Sequence, residues 1–273
     1  MSKSKYGCRL GIQTSNIIVY ADDIVLLAPS RKGLQLLVDE AISESNKLHL
    51  NFNGDKSKYM LFCRKSGSSL STGQITIAGT PLECVNSFKY LGFILNEQLD
   101  NIDDICRVRN KFYSDFNCFL RKFHFADKRV KLFLFKQFCL HFYGSELWFN
   151  NEKASLILKQ FEVGYHKAIK KILSLSYHES NHYACQEASM FTFKHYLNKI
   201  KYISALRVFG APCEFIEKTK PYLDISSVLL NEIKVTFMKI YDTELVFEQD
   251  RDAVLARILF VQNHESQTRE AIH

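Results

Sequence analysis

Two adjacent carboxylates, Asp22 and Asp23, stand between two short apolar runs rich in Ile and Val, residues 17–20 and 24–28. Runs of this length and composition, broken by a brief polar stretch, read as paired strands, so the chain is expected to turn back on itself with the acids at the tip. Such a tip is an electronegative point that a hard divalent cation such as Mg2+ can occupy. An Asp-Asp turn taken alone is more often simply solvated.

The neighbouring periodicities predict an α+β fold. After Pro29, Ser30 is placed as an N-cap, and Leu34, Leu37, Val38, Ala41 and Ile42 recur at offsets of three and four, marking an amphipathic helix that runs to about Lys47. Asn53-Gly54-Asp55 is a turn signal, 58–63 a strand candidate, and 65–73, rich in Ser and Gly, a loop. Residues 74–78 and 88–95 read as a further pair of strands joined through Gly79-Thr80-Pro81. From about Asp104 the period becomes helical, over 105–124, 128–148 and 153–174, then 194–209, 227–240 and 250–262, with Gly210-Ala211-Pro212 as a stop. The division expected is 1–103, strands and one helix; 104–176, a basic helical region; and 177–273, a helical extension of unknown role.

Charge is partitioned along the same lines. The net +7 conceals 11 basic and 11 acidic side chains over 1–104, 14 and 5 over 105–173, and 11 and 13 over 174–273. The whole surplus lies in the middle, as expected of a face that meets phosphate, though basic residues spread round solvated helix faces would count the same. Its candidates for nucleic-acid binding are Arg107, Arg109, Arg121, Lys122, Lys128 and Arg129. Phe112, Tyr113, Phe119 and Phe123 lie among them; aromatics can stack on bases, but at helical spacing these, like Trp148, are expected in the core.

Other classes are excluded more simply. With 47% hydrophobic and 24% charged residues the chain has the composition of a globular protein, not of a disordered or collagen-like one. No apolar stretch approaches the ~20 residues of a spanning helix, and residues 1–9 lack an apolar signal core. An intracellular setting with no membrane partner is therefore expected, with the eight cysteines as reduced, ordinary buried thiols. None is at C-x-x-C spacing, and the histidines show no ligand-like convergence.

The string Tyr20-Ala21-Asp22-Asp23-Ile24-Val25-Leu26-Leu27-Ala28-Pro29-Ser30 resembles the catalytic palm hairpin of reverse transcriptases, closely that of non-LTR (LINE-type) retrotransposons. The downstream order is also similar to that family: a helix; Asn51-Phe52-Asn53-Gly54-Asp55-Lys56-Ser57-Lys58, like the next palm motif; and Phe88-Lys89-Tyr90-Leu91-Gly92-Phe93-Ile94-Leu95, like the primer-grip hairpin. Gly7-Cys8-Arg9-Leu10-Gly11 and Asn16 look like the run-in. The resemblance covers about the first hundred residues strongly and the basic helical region, as a thumb, more weakly.

This resemblance implies RNA-directed DNA polymerisation, with an RNA template, a DNA primer and deoxynucleoside triphosphates as partners. Nucleotidyl transfer of this kind uses two metal ions about 3.5 to 4 Å apart, held by clustered carboxylates. Asp22 matches the metal-binding carboxylate and Asp23 its companion. Ala21 would leave room for the nucleotide and primer end, and Tyr20 would position the turn. Lys56 matches a position near the incoming triphosphate, or is a solvated turn lysine. Tyr90, Leu91 and Gly92 would form the primer grip. The family also places a third carboxylate, the fingers and a nucleotide-pocket motif upstream of the hairpin. They are not found here, so the expectation is a C-terminal polymerase piece, inactive by itself, that uses Mg2+ or Mn2+ only if an upstream polymerase half supplies the missing carboxylate. The alternative is a non-catalytic nucleic-acid-binding remnant.

Overall fold

A computed structural model describes residues 6–10, 13–62, 74–148 and 152–209. The chain divides into two compact units, 1–197 and 198–273, the second described only as far as Phe209. The expected helices at 227–240 and 250–262, the stop at 210–212, and Cys63 and Cys213 lie outside the described residues.

The acidic hairpin forms as the sequence predicts. β1 (Cys8–Leu10) and β2 (Gln13–Ser15) pair first, and β3 (Ile17–Tyr20) then pairs antiparallel with β4 (Asp23–Leu26), Tyr20 opposite Asp23. α1 (Arg31–Lys47) comes next, its N-terminus capped by the Ser30 hydroxyl, which accepts from the Gly33 amide at 3.1 Å. Four short strands follow it along the chain. β5 (Lys58–Tyr59) pairs parallel with β8 (Glu83–Cys84), and β6 (Thr76–Ile77) antiparallel with β7 (Thr80–Pro81). Val38, Ile75, Ile77 and Leu82 form a small buried core on which Leu26, Leu34, Ile42, Phe52 and Tyr59 pack. Gln35 stitches helix to strand by donating to the Thr76 carbonyl at 2.9 Å and accepting from its amide at 2.8 Å.

The expected pairing of 74–78 with 88–95 is corrected. Ala78 and Gly79, both at positive φ (48° and 80°), turn β6 directly into β7, and residues 88–95 fold on themselves as β9 (Ser87–Tyr90) and β10 (Phe93–Asn96). The turn there is Leu91-Gly92, at φ 45° and 82°, the mirror-image two-residue turn whose twist suits a hairpin. Leu is a costly occupant of the left-handed region, which hides this turn from a composition-based reading.

The helical part is built on phenylalanine. α2 (Ile102–Lys122) buries Ile105, Val108, Phe112, Phe116 and Phe119 along one stripe. α3 (Lys128–Phe138), N-capped by Asp127, adds Phe135; α4 (Glu152–Leu173) adds Phe161, Tyr165, Ile169 and Ile172. Phe112 meets Phe135 edge-on at 6.1 Å, and Phe161 meets Phe193 at 4.8 Å. α5 (Asn181–Glu187), capped by Ser180, has no counterpart among the expected elements; α6 spans Phe193–Phe209. The expected helix over 128–148 stops at Phe138. Beyond it Cys139, Leu140 and Phe142 enter the core as irregular chain, and Gly144 at φ 89° turns it into a single 3-10 turn, Ser145–Leu147. No described helix is long and apolar enough to cross a membrane.

Candidate active site and nucleic-acid interface

The β3–β4 tip is a two-residue turn, Ala21-Asp22, with Ala21 at φ 52°. A non-glycine residue there stores strain, and a small side chain minimises it. Asp22 lies in the turn and Asp23 opens β4. Both are exposed, and neither carboxylate has a hydrogen bond or ion pair among the described residues. The hairpin is anchored at its base, where Leu26 packs on the α1 core and the Leu27 amide donates to the Asn16 carbonyl at 2.9 Å. Its far end projects: Val19 is 58% and Tyr20 63% exposed.

As a cation site this pair is incomplete. Mg2+ prefers six oxygens and can keep waters, so one carboxylate plus phosphate oxygens can hold a single ion. A two-ion centre needs more, and among the described residues no third Asp, Glu, His or Cys joins Asp22 and Asp23. Lys56 is exposed on a separate turn, where the Asn53 side chain accepts its amide at 3.1 Å, and no described contact brings it to the carboxylates.

Tyr90, Leu91 and Gly92 occupy the tip of the second hairpin, which is latched to the helices. The Leu91 carbonyl accepts from the Tyr143 hydroxyl at 2.9 Å, and a Cβ on Gly92 would come within 3.1 Å of the Tyr143 ring. Asp104 is the centre of the latch. Fully buried, it accepts from the Ile94 amide at 3.1 Å, from Arg107 Nε at 2.7 Å and, through its other oxygen, from Trp148 Nε1 at 2.9 Å. Arg107 also donates to the Tyr143 carbonyl at 3.2 Å. Sequence reasoning does not single out Asp104. The available signal is its place four residues before Val108 and eight before Phe112, on the apolar stripe of α2, with Arg107 three residues on.

The six basic candidates separate by environment. Arg107 serves Asp104, and Arg109 donates to the Gln160 side chain at 2.9 Å, tying α2 to α4. Arg121, Lys122, Lys128 and Arg129 lie around the α2–α3 junction, where Lys122, Lys128 and Arg129 are exposed and Arg121 lines a shallow cleft. Arg121 and Lys122 also complement the negative end of the α2 dipole, a role that requires no ligand. Phe112 and Phe119 are core residues as expected, and Trp148 is buried.

Among the described cysteines, Cys139 and Cys185 are buried, and burial pushes their thiols up to about 12 and about 11 respectively, which leaves them inert. Cys84 is exposed, so the expectation of buried thiols throughout is corrected: β8 lies at the rim of a sheet only two strands wide. His166 is buried in α4. Desolvation, aided by the Lys170 ammonium one turn on, lowers its pKa below the ordinary histidine value, and the Glu162 backbone opposes this in part.

The described residues thus set an acidic hairpin before an amphipathic helix, and a second hairpin against the helices that carry the basic surplus. Residues 4–95 match the family described as reverse transcriptase (RNA-dependent DNA polymerase). The chain is also similar to a transposon-derived protein of Caenorhabditis elegans, 27% identical over 139 residues, a match covering 50% of this chain and 50% of that protein.

Proposed function

We propose that these residues are the catalytic-hairpin half of a palm, with primer grip and thumb, from an RNA-directed DNA polymerase of a non-LTR retrotransposon. Asp22 carries the metal-binding role, Asp23 assists it, and Tyr90, Leu91 and Gly92 present the primer end. The reading rests above all on the acidic turn at the tip of a hairpin inside the matched segment. The partners are an RNA template, a DNA primer, deoxynucleoside triphosphates and Mg2+, with a further carboxylate contributed from outside the described residues. Without that donor the chain binds nucleic acid and does not extend it.

A second reading, a nucleic-acid-binding remnant without catalysis, is favoured by the charge surplus over 105–173 and by the absence of a third donor among the described residues. Both require affinity for a primed template. Fluorescence anisotropy with a labelled DNA primer annealed to RNA tests this: binding is expected to weaken steeply with salt, the slope of log K against log salt being about −0.9 for each phosphate neutralised on duplex DNA. Replacing Arg121, Lys122, Lys128 and Arg129 by Ala should flatten that slope. A folded chain with no salt-dependent affinity overturns both readings.

A further inference from the structure

A shallow cleft opens where the end of α2, the start of α3 and the end of α4 meet, lined by Leu120, Arg121, His124, Lys131 and Lys171. Four of these five carry nitrogen donors and none is acidic. The Arg121 and Lys171 side chains have no hydrogen bond or ion pair among the described residues; Lys131 reaches over the turn to donate to the His124 carbonyl at 2.8 Å. Cations from three helices thus converge on one concavity. Solvated charges on separate helix faces have no reason to share a cleft, since like charges brought together repel.

Beside it, on the α2–α3 turn, stands Phe125, 77% exposed and the most exposed large apolar side chain among the described residues. Its ring is set edge-on to His124, centroids 5.5 Å apart at 89°. Lone exposed apolar residues are common. One next to a cleft lined by Arg121, His124, Lys131 and Lys171 and by no acid supplies the pairing that single-strand binders use, a cationic track for the backbone and an aromatic face for the base.

We propose that this cleft binds the phosphate backbone of a single-stranded polynucleotide, with Arg121, Lys131 and Lys171 on the phosphates and one base stacked on Phe125. The site rests on the nucleic-acid reading already given and narrows it: of the four residues tested there Arg121 lines the cleft, whereas Lys122, Lys128 and Arg129 do not.

The test compares a labelled oligodeoxythymidine with a labelled DNA duplex by anisotropy, on the full chain. Lys131→Ala with Lys171→Ala should weaken single-strand binding about tenfold or more and reduce the salt slope by roughly 1.4, two phosphates at about 0.7 each. Phe125→Ala should weaken single-strand binding by roughly 5- to 100-fold, the range for loss of one stacked base, and leave duplex binding nearly unchanged. Lys131→Arg with Lys171→Arg preserves the charges and should bind like the wild type, which guards against misfolding as the cause. If the double alanine variant keeps both affinity and slope while replacing Lys122, Lys128 and Arg129 lowers them, the cleft is not the site and the broader reading stands. If Phe125→Ala affects duplex and single strand equally, the stacking assignment is wrong. If the wild type binds neither probe, both readings fall.

Discussion

Asp104 shows how one buried charge organises two parts of the chain. Its carboxylate takes hydrogen bonds from a strand amide, a guanidinium and an indole, so removing it leaves three donors facing a low-dielectric interior. Asp104→Ala is expected to cost roughly 3 to 5 kcal/mol, the range for breaking a buried charge pair by deleting one partner. Trp148 is the single tryptophan, so urea unfolding followed by its fluorescence measures the loss directly. A cost below about 1 kcal/mol, the net worth of one ordinary hydrogen bond, would show that Asp104 is not the centre of the latch. His166 gives a second residue-level prediction. Its folded pKa lies below the unfolded value, so as pH falls through about 6.5 the unfolded chain takes up the proton first. Stability is therefore present above that pH and declines below it, by at most about 1.4 kcal/mol per pH unit, until the folded form also titrates. His166→Leu should flatten the decline between about pH 7 and about pH 5 in denaturant titrations; an unchanged slope would contradict it.

Among the elements, the second hairpin is positioned by turns more than by pairing. Gly144 is at φ 89°, and a Cβ there would come within 2.8 Å of the Phe93 ring and 3.3 Å of Asp104 Oδ2. Gly144→Ala should cost about 2 to 4 kcal/mol, combining left-handed strain with overpacking, and thermal unfolding would register it as a clear drop in Tm. Elements with strong periodicity are legible in the sequence: α1 through its i, i+3, i+4 apolar positions and Ser30 cap, and α2 and α4 through their aromatic stripes. The turns are less so. Leu91-Gly92 and Ala78-Gly79 place non-glycine residues at positive φ, where sequence preference points to Asn or Asp, and so the sequence pattern pairs 88–95 with the wrong partner. It also overextends α3, because Cys139, Leu140 and Phe142 continue an apolar pattern after the helix has ended.

Over the whole molecule, the hairpin tip is visible in the sequence because a short polar break between two apolar runs admits few local structures, and the resemblance of its motif to reverse transcriptases singles out its two acids. Asp104 and the three-helix cleft are not, since each is assembled from residues distant in sequence: Arg121 and Lys171 share a lining that no local pattern announces. The same distinction bears on activity. Two carboxylates on successive residues at an exposed turn hold at most part of a two-ion centre, and positioning of the reacting groups, which supplies much of the rate in nucleotidyl transfer, needs more than a hairpin. The decisive measurement is primer extension by the purified 273-residue chain on a primed RNA template, with Mg2+ and all four deoxynucleoside triphosphates. A bound but unextended primer is expected; extension that is abolished by Asp22→Ala would overturn this, by showing that these residues complete a polymerase centre without a further donor.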